Sequence, residues 1–359
     1  MSVQATHQDN IVITIGVDPL PTTDQKFTSM LYMRDGITLN ALDVKTYTSG
    51  TEADTDETAG YIDATTTAAI KAALTQGILR VKVGRVDVVG GDTYIIALNR
   101  ILVTDCDFWA ITTDLRVDAT IATFVAAVAA LETTFRGFVI FQSADADWKT
   151  AGIPAAYTAI ASLKRWAVVY HDTAAEIDDV RWAASKARWN PDTQSAPWDG
   201  ALSGGTNLAA DPSSTEKINL DGNYANHALP YGTLARWIDG GWAGDGSFVY
   251  ERLTIDWFHD RLLQDIVLQK SIYDARGRKW TIDDIGRAVF RSLIEGRFAK
   301  GVSAKHFQLG QTTVTIEPIS TADLADGKIR ATGQATFLTS ARLFQVDLVF
   351  GRALVNVTE

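Results

Sequence analysis

Residues 120–141 read Thr120-Ile-Ala-Thr-Phe-Val-Ala-Ala-Val-Ala-Ala-Leu-Glu-Thr-Thr-Phe-Arg-Gly-Phe-Val-Ile-Phe141, and two periods run through them. Ile121, Val125, Val128 and Leu131 recur at three- and four-residue spacing, which predicts a helix over Thr120–Thr133 with one apolar side. Phe138–Phe141 is a continuous apolar run behind a glycine, the pattern of a strand. Working outward, the same alternation repeats. Phe27–Met33, Ile78–Val83, Phe108–Thr112 and Trp166–Tyr170 read as strands, and Thr65–Leu74 and Ala174–Arg188 read as helices able to cover a sheet face. Strands alternating with covering helices predict an α/β region from Phe27 to about Trp189.

A chain of 359 residues suggests about two domains at roughly 150 residues each. With 46% hydrophobic and 21% charged residues, neither wholesale disorder nor a fibrous repeat fits. The net charge of −10 opposes nucleic-acid binding through the whole surface and points to protein partners. Cys106 is the only cysteine, so an intrachain disulfide and a thiolate-based metal site are excluded. No apolar run approaches the ~20 residues that span a bilayer, and the polar Met1–Asn10 lacks a signal-peptide pattern. A chain made in the cytoplasm is expected.

Beyond the α/β region, Asn190–Ser214 holds three prolines and Ser203-Gly-Gly-Thr-Asn207, and is expected to be a long loop or domain junction. Asn223–Asp245, with Trp237 and Trp242 among glycines, is expected to be irregular but packed. Two helices follow, at about Glu251–Tyr273 and Ile282–Ala299, the second with Thr281 as its expected cap. The end is β: Thr312–Glu317, Ile329–Leu338, and Leu343 to Val357 interrupted at Gly351. At the other end, Ile11-Val-Ile-Thr-Ile-Gly-Val17 is an isolated strand bounded by Pro19 and Pro21. Unpaired terminal strands are a hazard unless they pair within their own sheet or serve in assembly.

Three stretches stand out together: Phe248-Val-Tyr-Glu-Arg-Leu-Thr-Ile-Asp-Trp-Phe-His-Asp-Arg-Leu262, Trp280-Thr-Ile-Asp-Asp-Ile-Gly-Arg-Ala-Val-Phe-Arg-Ser-Leu-Ile294 with the following Gly301-Val, and Phe337-Leu-Thr-Ser-Ala-Arg-Leu-Phe-Gln-Val-Asp-Leu-Val-Phe-Gly351. They resemble contractile tail sheath proteins of bacteriophages, in particular the shorter myovirus sheath-like family. The resemblance covers roughly Ala225–Val357. It implies a non-enzymatic subunit without cofactor, polymerising as stacked six-membered rings around an inner tail tube and contracting to drive that tube through a cell envelope. The partners it implies are further copies, the tube protein, and baseplate and tail terminator proteins. The location it implies is the virion.

The implied organisation is an N-terminal arm (1–22), an α/β central region (23–215), an α+β polymerisation domain (216–351) and a C-terminal arm (352–359). The resemblance implies that neighbouring subunits complete the polymerisation sheet by strand addition. Ile11, Ile13, Ile15 and Val17 of one arm, and Ala353, Leu354, Val355 and Val357 of the other, are the expected linking residues, with Gly351 as the hinge. Arg276 to Lys300 carries seven Lys/Arg against three Asp/Glu. Arg287, Arg291, Arg297 and Lys300 are the expected tube-facing cations, set against the plain alternative of a solvated helix face with an Arg291–Glu295 pair.

Catalytic readings have less in the residues to support them. His171-Asp172, His259-Asp260 and His227 suggest imidazole–carboxylate metal ligation, but in contexts that do not bring them together, and no HExxH or GxxxxGK[ST] motif is present. The alternative function is a carbohydrate-binding or glycoside-cleaving protein. It rests on ten Trp, several beside carboxylates as in Trp198-Asp199, Trp237-Ile-Asp239 and Asp256-Trp257.

Overall fold

Strand β2 (Met30–Asp35) shows why the main sheet is covered on both sides. Met30 and Tyr32 point into one core and Leu31 and Met33 into another, and all four are at most 1% exposed. Successive side chains of a strand point to opposite faces, so a wholly apolar strand requires layers on both. The computed structural model describes residues 10–14, 27–132, 134–231, 234–281, 283–318 and 329–338.

Around β2 lie β3 (Val44–Tyr47), β4 (Val81–Val86), β5 (Ala110–Thr113), β6 (Phe138–Ser143), β7 (Trp166–Tyr170), β8 (Gly200–Ala201), β9 (Ala225–Tyr231) and β10 (Leu234–Asp239). They form one nine-stranded sheet in the order β3-β4-β2-β5-β6-β7-β9-β10-β8. The six strands β4, β2, β5, β6, β7 and β9 are parallel, and β3, β10 and β8 add antiparallel edges. Parallel neighbours need crossovers. These include α2 (Ala64–Thr75), reached through the short α1 (Gly50–Thr58), together with α3 (Tyr94–Thr104), α4 (Asp118–Ala130) and α5 (Asp178–Ala187). Residues of α2 and α5 share the core with Met30 and Tyr32, while those of α3 and α4 share the other with Leu31 and Met33.

A second unit follows α6 (Ser214–Gly222) and β10. The helices α7 (Val249–Ala275) and α8 (Asp284–Ser303) pack on each other and on a three-stranded sheet ordered β1-β12-β11, from Asn10–Thr14, Arg330–Phe337 and Phe307–Ile316 respectively. One continuous apolar core joins the two sheets. It runs from Val169 and Trp182 through Trp257 and Phe258 of α7 to Phe298, Phe307 and Phe337. Gly301 permits a close approach within it, because a Cβ there would stand 2.5 Å from the Phe307 ring.

Several boundaries differ from the sequence expectation for physical reasons. The long stretch Asn223–Asp245 is mostly two paired strands, since Asn226 satisfies the glycine-rich turn that follows them. Its amide donates to Val168 O and Trp242 O at 2.9 Å, and its carbonyl accepts from Gly241 N and Trp242 N. The main sheet therefore extends through Asp239, past the expected domain boundary at residues 215/216. The cap of α8 is Asp283, whose carboxylate accepts from Gly286 N at 2.9 Å, and not Thr281.

Candidate functional site

In a doubly wound sheet, a ligand crevice is expected beyond the carboxyl ends of the strands where the winding reverses, here between β2 and β5. That place is filled by the chain's own charges. Arg34 donates to Asp63 at 2.7 Å and to Asp114 at 2.8 Å, and the Tyr94 hydroxyl also bonds Asp114. Behind them Arg116 pairs with the fully buried Asp179, and Arg236 makes a two-pronged bond to the fully buried Asp178. Burial, reinforced by Asp114, pushes the Tyr32 phenol well above its usual range, so it stays neutral. The crevice is occupied by ion pairs between the chain's own side chains.

The second sheet offers a different kind of site. β1 lies antiparallel on β12, with Asn10 opposite Gln334, Ile11 opposite Gly333, Ile13 opposite Ala331 and Thr14 opposite Arg330. β12 is thus an inner strand only because the N-terminal strand covers one of its edges, while β11 covers the other. On β12 the buried positions Ala331, Gly333, Ala335 and Phe337 alternate with the more exposed Thr332, Gln334 and Thr336, so its register is fixed by one face. The pairing observed is within one chain. Of the linking residues expected from the sequence, Ile11 and Ile13 lie on this strand. Ile15, Val17, Ala353, Leu354, Val355, Val357 and the hinge Gly351 fall outside the described residues, as do Pro19, Pro21 and the expected strand Leu343–Val357.

The four expected tube-facing cations do not share one environment. Arg291 is exposed and pairs with Glu295 at 2.8 Å, Arg287 is half-buried beside Asp284, and Lys300 is exposed. Both arginines also lean on main-chain carbonyls of the β11 side, Val314 for Arg291 and Glu317 for Arg287, at 3.4 Å. Arg297 is a correction: it is 5% exposed, its guanidinium donates twice to Asp265 at 3.0 and 2.6 Å, and it stacks over Trp257. It belongs to the α7–α8 interface, because helical spacing brings it to the side of α8 that carries Phe290 and Ile294.

Sequence reasoning missed the charges that hold α7 against the main sheet. Asp256, on the buried side of α7, accepts two hydrogen bonds from Arg165 at 2.8 and 3.0 Å and one from Trp109 Nε1 at 2.8 Å. Arg165 also reaches Glu132 at 2.9 Å. Further along, Asp192 accepts from Trp257 Nε1 and from Arg261, and His306 bridges Thr254 and Pro191 O. The expected junction at Asn190–Ser214 thus begins as a clamp on α7. A buried Asp in an otherwise amphipathic helix was the one available signal.

The candidate catalytic histidines are buried or half-buried in the fold. His171 is fully buried and bonds Thr206 O and Thr173 N. Burial, with Arg136 nearby, lowers His259 to about 4, and burial also lowers His227. Among the described residues, no group of three or more His, Cys, Asp or Glu is arranged to hold a metal ion. Trp198 and Trp257 are buried core rings, with Trp182 Nε1 donating to Trp198 O, which overturns their reading as an exposed sugar platform. No described helix is long and apolar enough to cross a membrane.

No protein-family model matches the chain, and no curated protein matches it in sequence. Solved structures do match in shape. A chain from the anti-feeding prophage baseplate superposes with a TM-score of 0.68 at 10% identity, over 98% of this chain and 100% of that one. One from the contracted helical sheath of the same prophage gives 0.63 at 12% identity, over 97% and 99%. One from the contracted PVC sheath complex, an extracellular contractile injection system, gives 0.64 at 11% identity, over 99% of both chains. The protein therefore has the fold of contractile-sheath subunits.

Proposed function

We propose that this chain is the structural subunit of a contractile sheath, assembling as a helical homopolymer around an inner tube and shortening to drive that tube forward. The observation that carries the reading is the shared fold over nearly the whole of both chains. The finer reading is that subunits are linked by their terminal strands. A terminal strand on the open edge of β12 makes main-chain bonds that an identical strand from a neighbour reproduces in the same register, which is domain swapping applied head to tail. Such a link propagates a helix and survives while the globular faces exchange contacts. The particle is a phage tail or an extracellular injection machine of the kind the related folds come from. The role is mechanical, and the tube is its partner.

Cross-linking tests the linkage. Val12 and Thr332 are opposite one another on β1 and β12, so a Val12→Cys/Thr332→Cys chain with Cys106→Ser should form a disulfide on oxidation. In assembled material the expected product is a ladder of covalent multimers. Cross-linked monomer alone, recovered from intact polymer, refutes strand exchange at this end.

A further inference from the structure

We propose that the turn joining α7 to α8 is a cationic tip that docks on the acidic α1 surface of a second copy of this chain, a contact that rests on the polymer reading above. Arg276, Arg278 and Lys279 are all exposed, and among the described residues none of their side chains has a hydrogen bond or ion pair. This sets them apart from the arginines held in ion pairs, such as Arg34, Arg100, Arg165, Arg236 and Arg297.

The tip is rigidly built. Gly277, at φ +62°, ends α7, and the amides of Arg276 and Arg278 return to Tyr273 O while that of Gly277 returns to Asp274 O. Below the turn the Tyr273 and Trp280 rings stack 6.0 Å apart, and Trp280 Nε1 donates to Gly286 O at 3.1 Å. The negative end of the α7 dipole favours cations here but leaves their outward charge unmatched. Residues 270–305 carry nine Lys/Arg against four Asp/Glu, a net +5 in a chain of −10.

The complementary surface is on the same molecule. Residues 35–63 carry seven Asp/Glu against one Lys, and with Asp43, Asp56 and Asp63 already paired to Arg100, Lys45 and Arg34, the negative charge left on α1 rests on Glu52, Asp54 and Glu57. On that helix Asp54 is exposed with only a solvent-facing pair to Lys71, and the Glu57 side chain has no partner among the described residues. Among the described residues neither α1 nor any other acidic side chain of the same chain pairs with the tip cations, so the proposed α1 partner is that of another copy. Two different surfaces of one molecule make a heterologous contact, which extends a helix instead of closing a dimer. Charge matching of this kind fixes register and is weakened by salt.

Charge reversal in the full-length chain tests it. Arg276→Glu/Arg278→Glu/Lys279→Glu and, separately, Asp54→Lys/Glu57→Lys should each raise the critical concentration for assembly about tenfold, the sum of a few exposed ion pairs. Unchanged circular dichroism and Tm establish that each variant folds. Combining both sets should restore assembly toward wild type. Cylinders indifferent to either reversal, or no rescue in the combined variant, overturn the contact. Loss confined to co-assembly with a tube protein also overturns it, by assigning the tip to the tube. A wild-type chain that stays monomeric throughout overturns this contact together with the polymer reading.

Discussion

Replacing Asp256 by alanine tests whether α7 is bonded to the main sheet as tightly as its surroundings suggest. Asp256 is 1% exposed, and its carboxylate is bonded by the Arg165 guanidinium and Trp109 Nε1, while the Arg165 side chain is itself only 5% exposed. Removal leaves a buried guanidinium with Glu132 as its remaining counter-charge and a long bond to Gly137 O, a loss of about 3–5 kcal/mol for breaking a buried pair from one side. At roughly 2.1 cal/mol/K of unfolding entropy per residue, 359 residues give about 0.75 kcal/mol/K, so Tm should fall by about 4–7 °C. Differential scanning fluorimetry on the unassembled chain reads this directly. The double variant Asp256→Leu/Arg165→Met removes both charges and should lose less than Asp256→Ala alone. A drop under about 1 °C for Asp256→Ala, or a double variant worse than the single, refutes the reasoning.

Other outcomes follow from the same structure. Burial and a shared hydrogen bond with Asp145 push the Asp118 carboxyl up to about 6 from its ordinary value near 3.8. Because the folded state holds this proton more tightly, its stabilisation is complete below about pH 4 and is lost as pH rises through 6. Asp118→Asn should therefore flatten the fall in Tm between pH 4 and 6.5, and an unaltered profile refutes the assignment. Arg297→Ala should cost about 2–4 kcal/mol in denaturant unfolding through its lost bonds to the Asp265 carboxylate, whereas Arg291→Ala, in an exposed pair with Glu295, should stay within about 0.5 kcal/mol. If Arg291 and Lys300 face the tube, Arg291→Glu/Lys300→Glu should lower tube co-sedimentation without altering Tm, and unchanged coating removes that assignment. Oligosaccharides should leave the intrinsic Trp fluorescence unchanged, and a saturable change would revive the carbohydrate reading.

The α/β half was legible because parallel strands buried on both faces are runs of large apolar residues. Trp166–Tyr170 matches its expected bounds, and Phe138–Ser143 extends its expectation by two polar residues. Helix α3 escaped notice because Tyr94–Thr104 has apolar residues on more than one side, leaving Ile96 and Val103 exposed. β9 and β10 escaped because Asn, His, Pro and Arg interrupt them, and their pairing depends on Asn226 and on partners far away in sequence. The buried ion pairs at β2–β5 and on Asp256 were invisible for a related reason. A charge run looks the same in sequence whether it faces water or a partner 91 residues away, as Arg165 and Asp256 are. Arg297 was misplaced that way. The terminal strand was legible as a strand without a local mate, and its place beside β12 needed the fold.

Electron microscopy of the purified full-length chain in negative stain, over rising concentration and with or without a tube protein, tests the central claim most directly. Hollow striated cylinders, wider and shorter after contraction, are the expected result. Monomers that persist at every concentration, with a tube present, would contradict the sheath assignment despite the shared fold.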